Sequence, residues 1–538
     1  SKVAGRIEAR GKIAHSGLTQ LLGATLSPYF QGHVPWQLEL QPQSARTSAR
    51  LRLESDLSPL EMRLPAPFAK TQGEALVFVM STFLDNSQTR IVDLQAGNRA
   101  QGKLAFQRET AGWKFTRGRI GIGEPVTLLP AQAGLHLSAR LATFNADQWS
   151  PVLRANLSDS ATDSAPPVLS RVSAEVEAVE AFARKLGRLN LDISQQDGNW
   201  RGRLQGDAVS GQIAISRPLA TGLPLVAANV AAPGRSTIHL TLDKLLLPPA
   251  VEGSDEASVD PRLLPPLHIQ SQSFSYSGLN LGELEFSALP ATHGWKIVSL
   301  KLTRPESKLT ASGLWEIDNR AQHTSRIDAS LTSTDLGRLF EALGYPGEII
   351  GGELSMQSNW NWSGAPAAFQ LAKTDGDLSF TLVKGRVPKI SPGAGRLLGA
   401  LDLRSITRYL NLDFSNVFSK GLSFDRMKAK VAVEQGNAYT RDLHIRTPGA
   451  DLEISGRIGL AARDLDLDIG VTPHLVEELA LTGSLIGGPV VGAAVVVLHN
   501  LIKKPFEEST RIKYMVKGGW NNPAVTRLAP PVVEEQEN

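Results

Sequence analysis

Apolar and polar residues alternate along much of this chain of 538 residues, and this alternation constrains its fold more than any other feature. Residues 465–471 (LDLDIGV) are the clearest example, and residues 238–242 (IHLTL) repeat it. Successive side chains of a strand point to opposite faces of a sheet, so these segments predict strands with one apolar and one polar face. Parallel sheets are buried on both faces and favour continuous apolar runs, so the pattern predicts an antiparallel sheet.

Helical patterns are few. The 48 glycines and 32 prolines are spread along the chain and favour strands and turns over long helices. Helix-like periodicity occurs in residues 145–157, 334–344, 394–410 and 489–504. We therefore predict a mainly β protein in which a long antiparallel sheet twists and curls into an apolar groove, with a few short helices near the C-terminus.

A repeated unit supports this interpretation. Residues 300–317 align without gaps on residues 443–460, and leucine or isoleucine, proline and a Ser-Gly pair fall at the same places. Each copy predicts two strands joined by a turn that contains proline. Hairpins of fixed spacing indicate an array in which each unit pairs mainly with its neighbours.

The apolar face of such a sheet must be covered, because exposed apolar area costs about 25 cal/mol per Å². The helices are too few to cover it. The sheet can close on itself as a dry sandwich or stay open and take up acyl chains, and the periodicity is compatible with both. If the groove is open, we expect its floor to include Leu51, Leu53, Leu240, Leu242, Leu300, Leu302, Leu309, Leu452, Ile454, Leu465, Leu467 and Ile469.

Residues 479–502 form a second apolar feature, because they include no Asp, Glu, Lys or Arg. The length suffices to span a bilayer, but Gly487, Gly488 and Pro489 divide the segment into two short apolar helices. One interpretation is an element that presses into a membrane, and the other is a buried helix that plugs the end of the sheet. The membrane interpretation assigns contacts to Leu485, Ile486, Val490, Val491, Val495, Val496, Leu498, Leu501, Lys503 and Lys504.

The residue types needed for several kinds of chemistry are missing or scattered. The chain has no cysteine, and its ten histidines include no closely spaced pair that could start a metal site. It has no nucleophile elbow, phosphate-binding loop or zinc-protease motif. The net charge is only +3, so no strong field attracts nucleic acid. We predict no enzymatic activity, no metal or other cofactor, and no nucleic-acid partner.

Several motifs in the second half resemble a known family. They are residues 390–401 (ISPGAGRLLGAL), 421–425 (GLSFD), 343–346 (LGYP) and 454–457 (ISGR). They are similar to the C-terminal half of the YhdP family, in the AsmA-like group that includes TamB. The resemblance is strongest over residues 328–528, and its motifs are structural.

The resemblance implies a fold and a function. Such proteins form a repeating β-groove, or β-taco, anchored in the inner membrane of Gram-negative bacteria by a segment absent from this sequence. The groove crosses the periplasm as a bridge and carries phospholipids to the outer membrane, which the C-terminal end is expected to contact. The expected regions are groove units at 1–327, an AsmA-like groove region with short helices at 328–475, an apolar helical segment and final strand at 476–528, and a disordered tail at 529–538.

Two other functions stay open. A sheet edge could template the strands of outer-membrane proteins, which would make the chain a periplasmic assembly factor. An envelope hydrolase would need carboxylates that converge in a cleft. The carboxylates of Asp464, Asp466 and Asp468 instead alternate along the polar face of one predicted strand.

Overall fold

The computed structural model describes residues 6–43, 48–158, 169–216, 235–250, 259–388, 422–474, 511–520 and 523–528. Twenty-six strands belong to one sheet and two more form a small separate sheet, which confirms the mainly β class. The chain divides into two compact units, the first made of residues 1–224, 233–256 and 269–278 and the second of the rest. The expected helices at 394–410 and 489–504, the expected membrane contacts from Leu485 to Lys504 and the tail 529–538 lie outside the described residues.

The described part of the first unit consists of strands and two α-helices. The helices are α1 (His15–Leu26) and α2 (Ala146–Ser158). The first sixteen strands are β1 (Ile7–Ile13), β2 (Phe30–Gln31), β3 (Val34–Gln41), β4 (Ala49–Ser55), β5 (Glu61–Met62), β6 (Phe78–Leu84), β7 (Thr89–Ala96), β8 (Ala100–Glu109), β9 (Gly112–Ile122), β10 (Gly134–Asn145), β11 (Leu169–Ala181), β12 (Arg184–Gln196), β13 (Asn199–Gly206), β14 (Val209–Ser216), β15 (Thr237–Leu247) and β16 (Leu267–Tyr276).

Most neighbouring strands of this unit pair antiparallel, as predicted, but β10 pairs parallel with both β9 and β11. A parallel pair needs a connection that crosses the sheet. Residues 123–133 make the first crossing on the polar face, where Glu124 pairs with Arg119 at 2.9 Å and the Val126 N–H donates to the Gln101 side chain at 3.2 Å. Alternation identifies the faces of a strand and carries no information on its direction, so the sequence did not reveal this exception.

Helix α2 lies in the second crossing, and residues 145–157 had predicted it. Asp147 fixes its start, because its carboxylate accepts hydrogen bonds from the N–H groups of Phe182 and Ala183, both at 2.8 Å. The Trp149 indole donates to the carbonyl of Ala66 at 2.9 Å and stacks on Phe144. These contacts hold α2 against the strand ends.

Helix α1 was not predicted. It has no acidic residue in its first turn and no basic residue in its last turn. Gly23 interrupts it with a φ of 75°, a conformation that glycine adopts readily and that helices exclude. The usual start and stop signals are therefore absent.

The second unit is also a sheet, with one described helix, α3 (Leu336–Ala342). The Asp335 carboxylate caps α3 by accepting from the Arg338 N–H at 3.1 Å, which confirms the helix predicted at 334–344. The remaining strands are β17 (Leu279–Ala291), β18 (Gly294–Arg304), β19 (Ser307–Ile317), β20 (His323–Ser333), β21 (Ile350–Ser363), β22 (Asp375–Val387), β23 (Leu422–Glu434), β24 (Asn437–Arg446), β25 (Ala450–Gly459), β26 (Asp464–Pro473), β27 (Ile512–Gly519) and β28 (Ala524–Leu528).

The repeated unit is confirmed as two hairpins, β18–β19 and β24–β25. Both hairpins have a register irregularity at the same place of the repeat, between Ile297 and Leu300 in one and between Thr440 and Leu443 in the other. Such irregularities bend a strand locally. The two copies therefore share their pairing as well as their sequence pattern.

Within the described ranges, none of the helices has the length and apolar content that a membrane crossing requires.

Candidate functional site

The strand registers of the first unit align apolar side chains into rows that cross the sheet. Directly paired residues on neighbouring strands point to the same face. One row takes a residue from each of thirteen strands, β1, β3, β4 and β6–β15. Its members are Ala9, Leu38, Leu53, Met80, Leu94, Gly102, Ile120, Leu137, Val172, Ile193, Gly202, Ile213 and Leu240. No member carries a charge, and we call this set the central row.

A row on each side widens the apolar face. The first is Ile7, Leu40, Leu51, Thr82, Val92, Leu104, Gly118, Leu135 and Leu169. The second is Ile122, Ala139, Ala174, Leu191, Leu204, Gly211 and Leu242. The hydroxyl of Thr82 donates to the Ile91 carbonyl at 2.7 Å, so its polarity is satisfied. The four residues expected in this unit, Leu51, Leu53, Leu240 and Leu242, therefore share one face, which we call the floor.

The floor of the first unit is partly accessible to solvent. From Leu38 to Leu240 the central row is half-buried, apart from the buried Gly102. Leu242 is also buried, with 2% of its surface exposed. A contiguous apolar surface that stays accessible in a folded chain indicates a binding surface.

Considered by itself, the second unit has a similar arrangement, and its registers place the eight remaining expected residues on one face. One row is Leu284, Leu302, Leu309, Leu331, Met356, Phe380 and Ala429. The next is Leu354, Leu382, Met427, Ile445, Leu452, Val471 and Ile512. A third is Phe286, Leu300, Ala311, Ala329, Ser358, Leu378, Val431, Thr440, Gly456, Leu467, Val516 and Val525. Ile454 pairs with Ile469, and Leu465 pairs with Ile458.

Burial divides this second floor into two parts. Leu302 and Leu309 on β18 and β19 are half-buried, as are Met356 and Phe380 on β21 and β22. From β23 onward the floor becomes part of a hydrophobic core. The five expected residues of this part are Leu452 at 7%, Ile454 at 3%, Leu465 at 3%, Leu467 at 5% and Ile469 at 1% exposure. The sequence had given all eight as candidates for an open floor, without a distinction between these two parts.

The opposite face of the second unit is polar. Asp464 accepts two hydrogen bonds from the Arg457 guanidinium, at 2.9 and 2.7 Å. These hydrogen bonds lower the pKa of Asp464 below its ordinary value of 3.8. Asp466 lies 3.4 Å from Lys517. Structural pairing accounts for these carboxylates, and the described ranges contain no group of His, Asp and Glu side chains arranged to hold a metal ion.

Sequence reasoning missed the glycines of the floor. A Cβ on Gly118 would stand 2.5 Å from Leu104 Cδ2, and a Cβ on Gly102 would stand 3.3 Å from Leu94 Cδ1. The missing side chains leave room for the leucines beside them. A glycine within an alternating strand signals such a close approach, but its low hydrophobicity kept these positions out of the expected floor.

A family model described as YhdP protein matches residues 2–525. A curated protein of Escherichia coli (strain K12), named intermembrane phospholipid transporter YhdP, is 22% identical over 526 residues. The match covers 95% of this chain and 40% of that protein, so the chain spans less than half the length of this relative. No solved structure gives a significant match.

Proposed function

Because the chain belongs to the YhdP family, whose model matches residues 2–525, we propose that it carries phospholipids between two membranes along its apolar floor. The acyl chains lie against the floor, and the headgroups stay in water. The chain acts in the periplasm as part of a bridge from the inner to the outer membrane. The curated relative supports this class of cargo, because it is named an intermembrane phospholipid transporter.

The continuity of the central row from Ala9 to Leu240 is the observation that carries the proposal. At about 4.8 Å per strand the row extends on the order of 60 Å, about twice the hydrocarbon thickness of a bilayer. A hydrocarbon chain that slides along it meets no charge. A charged side chain in the row would lose its hydration whenever an acyl chain covered it, which is costly.

This function requires no covalent step, so the proposal assigns no catalytic residue and no cofactor. The half-buried state of most floor residues supports reversible contact. A fully sealed core has no space for hydrocarbon, and a fully exposed side chain gains little from it. The floor therefore suits a cargo that must both bind and leave.

The test is to purify the chain from bacterial envelopes and identify the bound lipid by mass spectrometry. Wild-type protein is expected to retain phospholipid, and Leu94→Asp is expected to lose most of it. Gln95→Asp is the matched control, because Gln95 is the next residue on the opposite face and is exposed. Equal lipid content in both variants would contradict the floor assignment. Recovery of unfolded outer-membrane protein in place of lipid would favour the assembly-factor alternative.

A further inference from the structure

The accessible floor of the second unit narrows sharply after β22, because Val431 is the one floor residue of β23 that stays half-buried. Met356 and Phe380 are half-buried and directly paired. On the next strand, Met427 is 7% exposed and Ala429 is 1% exposed. Hydrocarbon that follows the open floor along β18–β22 would therefore meet side chains packed as protein core over most of β23. We expect it to leave sideways, over one of the two ends of β21 and β22.

One of these ends is occupied. Helix α3 packs at the start of β21, where Leu336 and Leu339 are 5% and 6% exposed and join the core that contains Leu382. A Cβ on Gly337 would stand 2.8 Å from the carbonyl oxygen of Ile349, so the helix lies directly on the backbone there. Beside it, the floor residue Leu382 is 5% exposed.

The opposite end carries an exposed apolar surface in the connection from β21 to β22, residues 364–374. Phe369 contacts Trp360 and Trp362 edge-on, with ring centroids 6.0 and 5.2 Å apart. Trp360 lies on the floor, because it shares a strand face with Met356. Phe369 leaves 43% and Leu371 leaves 42% of its surface in solvent. The floor therefore continues through Trp360 onto an apolar rim.

The connection is held in place. The Trp362 indole donates to the Ala365 carbonyl at 3.0 Å, and the Ser325 hydroxyl donates to the Gly364 carbonyl at 2.8 Å. The fully buried Thr374 donates to the Gln370 carbonyl at 2.8 Å. Phe369 and Leu371 are thus presented by a fixed backbone, with the exposed Lys373 beside them.

We propose that residues 364–374 form a membrane-contact rim where acyl chains pass between the floor and a phospholipid bilayer. This inference rests on the proposed function. Aromatic side chains with a neighbouring lysine suit the boundary between headgroups and hydrocarbon. Two exposed apolar side chains are enough for transient contact with a bilayer but not for stable anchoring in it. Lipid transfer requires such a reversible contact. Lys373 is offset by the exposed Asp375, so the contact is apolar in character and only weakly sensitive to salt.

The test is transfer of a fluorescent phospholipid by the full chain between vesicles of phosphatidylethanolamine and phosphatidylglycerol. We expect the double variant Phe369→Ser, Leu371→Ser to transfer about tenfold more slowly, because apolar contact with the bilayer is lost, while it keeps its co-purified lipid. Ile350→Ser is the matched control: Ile350 is 46% exposed and lies on the same strand pair at the end that α3 occupies. Its transfer rate should stay at the wild-type value.

Unchanged transfer by the double variant, or equal slowing by Ile350→Ser, overturns the rim and leaves the proposed function intact. A wild-type chain that carries no lipid overturns both. A photocrosslinking benzoylphenylalanine at position 369 gives a second measurement that does not depend on the stability of the serine variants. It should capture vesicle phospholipid, whereas the same probe at position 350 should not, and capture at both or at neither contradicts the rim.

Discussion

The indole ring of Trp360 lies over Gly376, its direct partner on the neighbouring strand, so closely that a Cβ on Gly376 would stand 2.9 Å from Trp360 Cε3. The same Cβ would also press on the carbonyl oxygen of Asn359. The open floor thus ends at the ring of Trp360. This ring fits in its position because Gly376 has no side chain.

We expect Gly376→Ala to lower the free energy of unfolding by about 1–3 kcal/mol, because a methyl group has no room in this contact. Gly519→Ala is the control, because a Cβ on Gly519 meets only the Arg463 carbonyl oxygen, at 3.9 Å. Thermal unfolding of the two variants measures the difference. Equal melting temperatures would mean that both the Trp360 ring and the Asn359 carbonyl shift at little cost.

A charge in the accessible floor of the second unit should impair transport without unfolding it. Leu302 is half-buried, and it lies between Leu284 and Leu309 on the neighbouring strands. In the free protein, water can reach an aspartate at this position, but a passing acyl chain would strip that water away. We expect Leu302→Asp to keep a near wild-type melting temperature and to transfer phospholipid about tenfold more slowly.

Ser299→Asp is the control for this variant. Ser299 is exposed on the same strand and pairs with Ser287 on the polar face. An aspartate there should alter neither melting nor transfer. Slow transfer by both variants would point to a general effect of negative charge on vesicle contact.

The same substitution should behave differently in the buried part of the floor. Leu467 is 5% exposed and packs in the core of the second unit. An aspartate there is an unpaired buried charge, so Leu467→Asp should lower the free energy of unfolding by about 3 kcal/mol or more. Asp468→Asn, at the exposed neighbouring position, should be close to neutral. Denaturant unfolding checks both, and a stable Leu467→Asp would show that this part of the floor opens to water.

Acid should destabilise the first unit through His136. This residue pairs with Arg119 on β9 and with Arg171 on β11. Burial lowers the pKa of His136 below its ordinary value of 6.5, and the two guanidinium groups lower it further. The folded state therefore binds the proton less readily than the unfolded state. Its contribution to stability is present above pH 6.5 and is lost as the pH falls through the lowered folded pKa.

Melting temperatures measured from about pH 8 down to about pH 5 test this linkage. We expect His136→Gln to flatten part of the decline, because glutamine does not titrate. A decline of the same size in the variant would assign the acid sensitivity to other groups.

The alternation of apolar residues was enough to predict the β class and, within each unit, the shared face of the expected floor residues. The direct opposition of Leu302 and Leu309 follows from the short turn around Pro305, which sequence comparison with the second hairpin had already located. Alternation says which residues point the same way, and it says nothing about what lies over them. For that reason the burial of Leu452 and Leu467 was not foreseen.

The direction of β10 and the presence of helix α1 were also not predicted, because the local apolar pattern specifies neither of them. The parallel pairing of β10 depends on a crossing held by long-range contacts such as the Val126 N–H with the Gln101 side chain. The glycine within α1 removes the usual local signal for a helix. Trp360 and Phe369 are nine positions apart, and their contact depends on the path of the connection between two strands.

The crossing by residues 123–133 lies on the polar face, where Glu124 and Val126 are held by Arg119 and Gln101. The connection that makes β10 parallel to β9 therefore runs over the polar face of the sheet. The change of strand direction therefore leaves the apolar face uncovered, and the central row passes from Ile120 to Leu137 without a break.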